Sequence, residues 1–129
     1  MSTALASITD YINDGRTLLQ DTIQPFRYQD SELVVAMNVT LLEASRLRRD
    51  LFIFNKRQVG GTGVQSFQQN DGTELLMEEQ FRLALLFGMV AHAILRDQED
   101  IADERAGIFM SFFNTILTGG SGLKAGGGQ

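Results

Sequence analysis

The chain contains no cysteine, one proline and one histidine in 129 residues, and cations are outnumbered, 11 Lys and Arg against 16 Asp and Glu. The missing cysteine excludes a disulfide framework, a thiolate metal site and a cysteine nucleophile together. The lone His92 has no acidic residue three or four positions away, so a general base here would lack a positioned orienter. A metal site would have to recruit its carboxylates from elsewhere. The net charge of −5 argues against a nucleic-acid binder, because duplex binding takes most of its affinity from Lys and Arg neutralising phosphates. No apolar run approaches the roughly 18 residues of a membrane span, so no membrane partner is expected. The opening MSTALASITDYINDG has neither a basic start nor an apolar stretch of signal-peptide length. A protein made and assembled inside a cell is expected.

What is present is helical periodicity. Residues 83–95, LALLFGMVAHAIL, hold His92 as their one polar side chain. They predict a helix buried on most of its circumference, and a single domain of this size can supply only some of the neighbours such a helix needs. Other copies of the chain are therefore expected to cover part of it. A first helix is expected over 3–22, with Leu5, Ile8, Ile12 and Leu19 at helical spacing, Tyr11 and Leu18 widening the stripe, and Gly15 weakening it by about 1 kcal/mol. Pro25 ends it, and Phe26 and Tyr28 should fold back on the core. A second helix starts at Asp30 as N-cap and runs to about residue 49, burying Leu33, Val34, Met37, Leu41 and Ala44. The third should start after Asp71 or Thr73 and end near Arg96. The fourth follows at once from Asp97, as the second arm of an αα-hairpin. On it Ile101, Ile108, Phe112 and Ile116 form a stripe, flanked by Phe109, Phe113 and Leu117, that reads as core packing.

Between helices two and three the pattern changes. LFIF from Leu51, then NKRQVGGTGVQSF, then polar QQNDG place two β-prone runs around a glycine turn. The expectation is a β-hairpin or extended loop over 54–67, with its tip near Gly60, Gly61 and Gly63. Val64 and Phe67 would be its sticky positions. A lone hairpin is marginal in water, so it must lie on the helices or pair with another chain. The end, TGGSGLKAGGGQ, is too poor in apolar residues to order itself. It forms a flexible tail over 119–129 in which Leu123 and Lys124 are what a partner would read. The fold class expected is mainly α: one domain over 1–118, a four-helix bundle-like protomer with that insertion and that tail.

Searches for chemistry end without a site. GGTG at 60–63 lacks the Lys and the following helix of a phosphate loop, no GxSxG elbow exists, and no spacing matches a calcium loop or HExxH. No catalytic residue, no cofactor and no metal is expected. The charges, in contrast, are sorted. Arg46, Arg48, Arg49, Lys56 and Arg57 stand against Asp50 alone, a net of +4, while Asp97, Glu99, Asp100, Asp103 and Glu104 outweigh Arg96 and Arg105 by three. Helix termination and solvation would account for the three Arg at the end of helix two. The two patches could also pair, within one fold or between copies, with Arg46, Arg48 and Arg49 facing Asp97, Asp100 and Glu104.

Three segments in order, ITDYINDGRTLLQDTIQPFRYQDSELVVAMNVTLLEASRLRRDLF, FRLALLFGMVAHAILRDQED, and the last helix with Ala102, Arg105, Ala106 and residues 109–113, resemble the small head-to-tail adaptor (connector) proteins of tailed bacteriophages. The resemblance covers most of residues 8–117. It implies a virion protein of the neck region, assembled in the host cytoplasm as a homo-oligomeric ring of about twelve copies. Such a ring sits between the portal protein and a tail nozzle or tube protein, and DNA passes through without specific binding. It further implies that the C-terminal segment, here Gly119, Gly120, Leu123, Lys124 and Gln129, grips the portal and that the 54–67 insertion, with Phe54, Val59, Gly60, Gly61, Val64 and Phe67, faces the tail. The alternative is a small helical protein-interaction or regulatory module without catalysis.

Overall fold

The computed structural model describes residues 5–55, 64–68, 72–96 and 104–119, without the side chains of 53–55. Helix α1 spans Ile8–Leu19. The Asp10 carboxylate accepts the backbone N–H groups of Ala6 at 3.0 Å and Ser7 at 3.3 Å, satisfying donors at the helix start. The helix starts later than its periodicity suggests because residues 5–7 are otherwise engaged. Ser7 forms an isolated antiparallel bridge with Glu74, and the Leu75 N–H donates to the Ala6 carbonyl at 2.6 Å. Ile8, Tyr11, Ile12 and Leu19 are buried, as their spacing requires.

Helix α2, Asp30–Leu47, opens one residue before expectation, with Gln29 at the cap and its N–H donated to Glu32 at 2.8 Å. Leu33, Val34, Met37, Leu41 and Ala44 all face inward. In the connector, Tyr28 is buried and Phe26 half-buried beneath the Arg16 guanidinium.

The insertion departs from the expected hairpin. Leu51 and Phe52 belong to a 3-10 helix, Arg49–Asn55, that follows α2 after the non-helical Arg48, and Phe54 lies in it. Residues 64–68 form no strand, and among the described residues the Ser7–Glu74 bridge is the one β pairing. Side-chain amides take the place of a ladder. Gln65 donates to the Glu74 carbonyl at 2.9 Å and accepts the Leu76 N–H at 2.8 Å. Asn38 of α2 treats Phe67 the same way, at 3.0 and 2.8 Å. These bonds meet the backbone's hydrogen-bonding needs without a second strand. β-propensity reflects fit to a half-buried surface, and here helical packing wins. Val59, Gly60 and Gly61 lie outside the described residues.

Helix α3, Glu79–Arg96, starts later than Asp71 or Thr73 because the segment before it is tied down. Arg82 donates to the Met77 and Leu75 carbonyls at 3.0 and 3.4 Å. It is the central element, touched by α1, α2 and the last helix, α4, Arg105–Thr118. Helices α3 and α4 pack most extensively, and the corner of the expected αα-hairpin lies outside the described residues. The described part of α4 begins well after Asp97, and residues 97–103 lie outside the description. Two glycines permit the crowding around α3. A Cβ on Gly88 would sit 2.5 Å from Thr40 Cγ2 of α2 and 2.7 Å from Phe113 Cδ1 of α4, and one on Gly15 would sit 2.6 Å from Met89 Cε.

Two expectations about packing are corrected. The chain itself covers α3 from Ala84 to Ile94, Phe87 and His92 partly excepted, so the surface left for other copies is narrower than the apolar run suggests and lies at its ends, where Leu83 and Leu95 are exposed. On α4 the buried line is Ala106, Phe113 and Leu117, while Ile108 and Phe112 of the expected core stripe are 52% and 45% exposed. The helix meets the rest of the described chain mainly through α3, on one side, and among the described residues nothing packs on its far side.

Candidate functional site

The features that stand out as functional are surfaces. Along α2, Val35, Val39 and Leu42 follow one another at i, i+4 and i+7 on the face opposite its buried residues, with Leu42 61% exposed. Along α4, Ile108 and Phe112 repeat that spacing, continued by the exposed Thr115. Phe112 is steadied from below, its ring centroid 5.1 Å from Phe87, which also stacks on Phe109 at 5.8 Å. From Ala106 to Thr118 the helix carries no charged residue. An outward face without charge is not built for solvation. A helix apolar on most sides belongs in an interior or an interface.

Of the residues expected to pair between the two charge patches, Arg46, Arg48, Arg49 and Glu104 are described. Arg46 is exposed at the end of the α2 stripe and pairs with Glu43 one turn back. Arg49 is exposed. Arg48 is committed within the chain: it bonds Asp50 through two nitrogens at 2.9 and 2.8 Å, donates to the Leu117 carbonyl of α4, and lies 5.4 Å from the Phe81 ring centroid. That hydrogen bond holds the Asp50 carboxyl below its usual range and raises Arg48. Arg48 therefore ties the ends of α2 and α4 together. Glu104 is exposed at the start of α4, and Asp97 and Asp100 lie outside the described residues.

Of the proposed insertion contacts, Phe67 is buried in the core and Val64 is half-buried against it. Of the tail residues, Gly119 is described: it closes α4 in the left-handed region at φ 83°, where a side chain would be strained. Gly120, Leu123, Lys124 and Gln129 lie outside the described residues.

Sequence reasoning missed the joint between α1 and α2. Arg16 and Asp21 are 6% and 8% exposed and paired at 3.0 Å. Arg16 also pairs with Asp30 and donates to the Tyr28 carbonyl at 2.7 Å, with its guanidinium 3.9 Å from the Phe26 ring centroid. Asp21 in turn accepts the Arg27 and Tyr28 N–H groups at 2.8 and 2.9 Å. The signal available was an Arg inside an otherwise apolar helix face with acids on both sides of a Pro turn. The depression beside it is lined by groups already satisfied, including Arg16, Gln29 and Asp30.

His92 is half-buried on α3, and its Nε2 has no hydrogen-bond partner among the described residues. Burial pushes its pKa down, opposed by the Glu43 carboxylate across on α2. Among the described residues no group of three or more potential ligands is placed to hold a metal ion, and no helix is long and apolar enough to cross a membrane. No protein-family model, no curated protein and no solved structure matches the chain.

Proposed function

We propose that this chain is a structural assembly protein, the head-to-tail adaptor of a tailed bacteriophage, and that its copies form a ring between portal and tail around the DNA channel. The observation that carries the assembly reading is the pair of apolar stripes on α2 and α4 that the described residues leave uncovered, while the middle of the central helix is buried. A monomer that exposes Leu42, Ile108 and Phe112 on helix faces keeps apolar surface that association would remove from water. The adaptor role itself rests on the resemblance of the three segments quoted above. The acidic balance suits a channel through which DNA must slide without being held.

In this reading residues 119–129 grip the portal, the stretch around Val59, Gly60 and Gly61 turns to the tail, and neither catalysis nor a cofactor is involved. The test is mass by native mass spectrometry or light scattering, with and without the portal protein of the same phage. A ring on the portal that is lost on deletion of residues 120–129 supports the proposal. Persistent monomer with no portal binding moves the function to the second reading, a helical module whose exposed stripes receive a partner helix.

A further inference from the structure

We infer that the outer stripe of α2 in one copy packs antiparallel against the outer stripe of α4 in the next, an assignment that rests on the ring reading for its setting and goes beyond it in naming the faces. The two stripes match in spacing. Val35, Val39 and Leu42 occupy i, i+4 and i+7 on α2, and Ile108, Phe112 and Thr115 occupy the same positions on α4, each set opposite the face its helix turns to the core. They match in register as well. Leu42 stands four residues before Arg46, and Ile108 stands four residues after Glu104. Laid antiparallel, Arg46 meets Glu104, Leu42 meets Ile108, Val39 meets Phe112, and Val35 lies beside Thr115. The helix dipoles then oppose one another.

A second copy is the occupant because the chain has little else to offer. Its stretches outside the described residues supply Met1, Val59, Ile101 and Leu123 as large apolar side chains, one to a stretch, and the short 69–71 stretch supplies none. Such scattered residues cannot cover two eight-residue stripes. Self-pairing of either stripe would close a dimer and leave the other stripe bare. The α2–α4 pairing uses each stripe once per copy, which is the head-to-tail arrangement that propagates into rings.

The absence of native cysteine makes the contact directly testable. Val39→Cys and Phe112→Cys are prepared separately and together, with Leu42→Cys and Ile108→Cys as a second pair should the first fold poorly. Under mild oxidation of the full chain, the expected result is a disulfide dimer only when the two single variants are mixed, and a ladder of higher oligomers from the chain carrying both. Glu104→Arg should slow the mixed cross-link about 2- to 5-fold, and Arg46→Glu should restore it. Self-linking of Val39→Cys or of Phe112→Cys alone overturns the assignment, as do oligomers seen by light scattering that give no mixed disulfide. A ladder without rings on the portal keeps the contact and removes the adaptor role. Rings on the portal without the disulfide keep the adaptor role and remove the contact, and a chain that never self-associates removes both.

Discussion

Replacing Gly88 by Ala tests the packing on which the fold depends. The added methyl would lie 2.5 Å from Thr40 Cγ2 and 2.7 and 3.0 Å from Phe113 Cδ1 and Cε1. Neither neighbour can step aside easily. Thr40 is β-branched and fully buried, with its hydroxyl donated to the Ala36 carbonyl at 2.7 Å, and Phe113 is fully buried. Overpacking of this kind costs about 1–3 kcal/mol, and the better helix propensity of Ala returns up to about 1 kcal/mol, so a net loss of about 1–2 kcal/mol is expected. Gly107→Ala is the control, because nothing lies within 4 Å of a Cβ there and its φ is ordinary; a gain of about 0.4–1 kcal/mol is expected. Urea denaturation at concentrations below self-association reads both as shifts in midpoint at unchanged slope. Thr40→Ser removes the closest atom and should recover part of the Gly88→Ala loss in the double variant, since the two residues touch. A Gly88→Ala protein as stable as the parent would refute the close approach of α2 and α4 to α3.

Three further outcomes follow from the buried and half-buried charges. Asp21→Ala should cost about 3 kcal/mol by chemical denaturation, because it strips Arg16 of its buried partner and leaves the Arg27 and Tyr28 N–H groups without their acceptor; a loss under about 1 kcal/mol would contradict the buried pairing. Arg48→Gln should cost about 1–2 kcal/mol through its lost bonds to Asp50 and Leu117, whereas the exposed Arg49→Gln should stay within about 0.5 kcal/mol, and equal effects on the monomer would contradict the placement of Arg48. Burial holds the His92 pKa below its ordinary 6.5, so the unfolded chain takes up the proton more readily than the folded one. The stability of the neutral form is present above that value and declines as pH falls through it. Melting temperatures at pH 7.5 and 5.5 should therefore diverge more for the parent than for His92→Gln, and parallel curves would show that His92 titrates alike in both states.

Where the apolar spacing was unambiguous, the sequence was legible. The stripe from Ile8 to Leu19, the inward face of α2 and the packing of α3 on α4 all follow from 3.6-residue periodicity, because burial of one face is what makes each helix stable. Legibility failed where polar side chains replaced backbone pairing. Gln65 and Asn38 look like loop and helix-surface residues in sequence, yet each clamps a distant backbone segment and so removes the need for a hairpin. Such contacts span up to 29 residues and leave no periodic trace. The same holds for Arg48, which reads as a helix-ending cation and is in fact a clasp on the Leu117 carbonyl. Of the candidate interface, the charges were readable and the faces were not. Ile108 and Phe112 share an apolar stripe with residues that are buried, and only the one-sided packing of α4 separates them.

The most apolar segment of the chain is covered mostly by the chain itself, with Leu83 and Leu95 at its ends left exposed. Residues 83–95 invite the reading that neighbouring copies must cover them, but Gly15 and Gly88 let three helices of the same chain close around α3. Every apolar neighbour spent on α3 is then unavailable elsewhere. Helices α2 and α4 each turn one face to that centre, and with no further helix in the described chain to back them, their outer faces meet water. On α2 that outer face is edged by Glu32, Glu43 and Arg46, enough charge to keep a free chain soluble. On α4 no charge occurs after Arg105 until the helix has ended. The unequal dressing of two geometrically similar stripes is what favours pairing between unlike faces: the charged rim of α2 supplies orientation, and the uncharged, aromatic-backed surface of α4 supplies most of the apolar area. If so, Phe112→Ser should abolish association while leaving the monomer fold nearly intact, because Phe113 and Leu117 carry the packing on α3; loss of the fold would place Phe112 in the core after all.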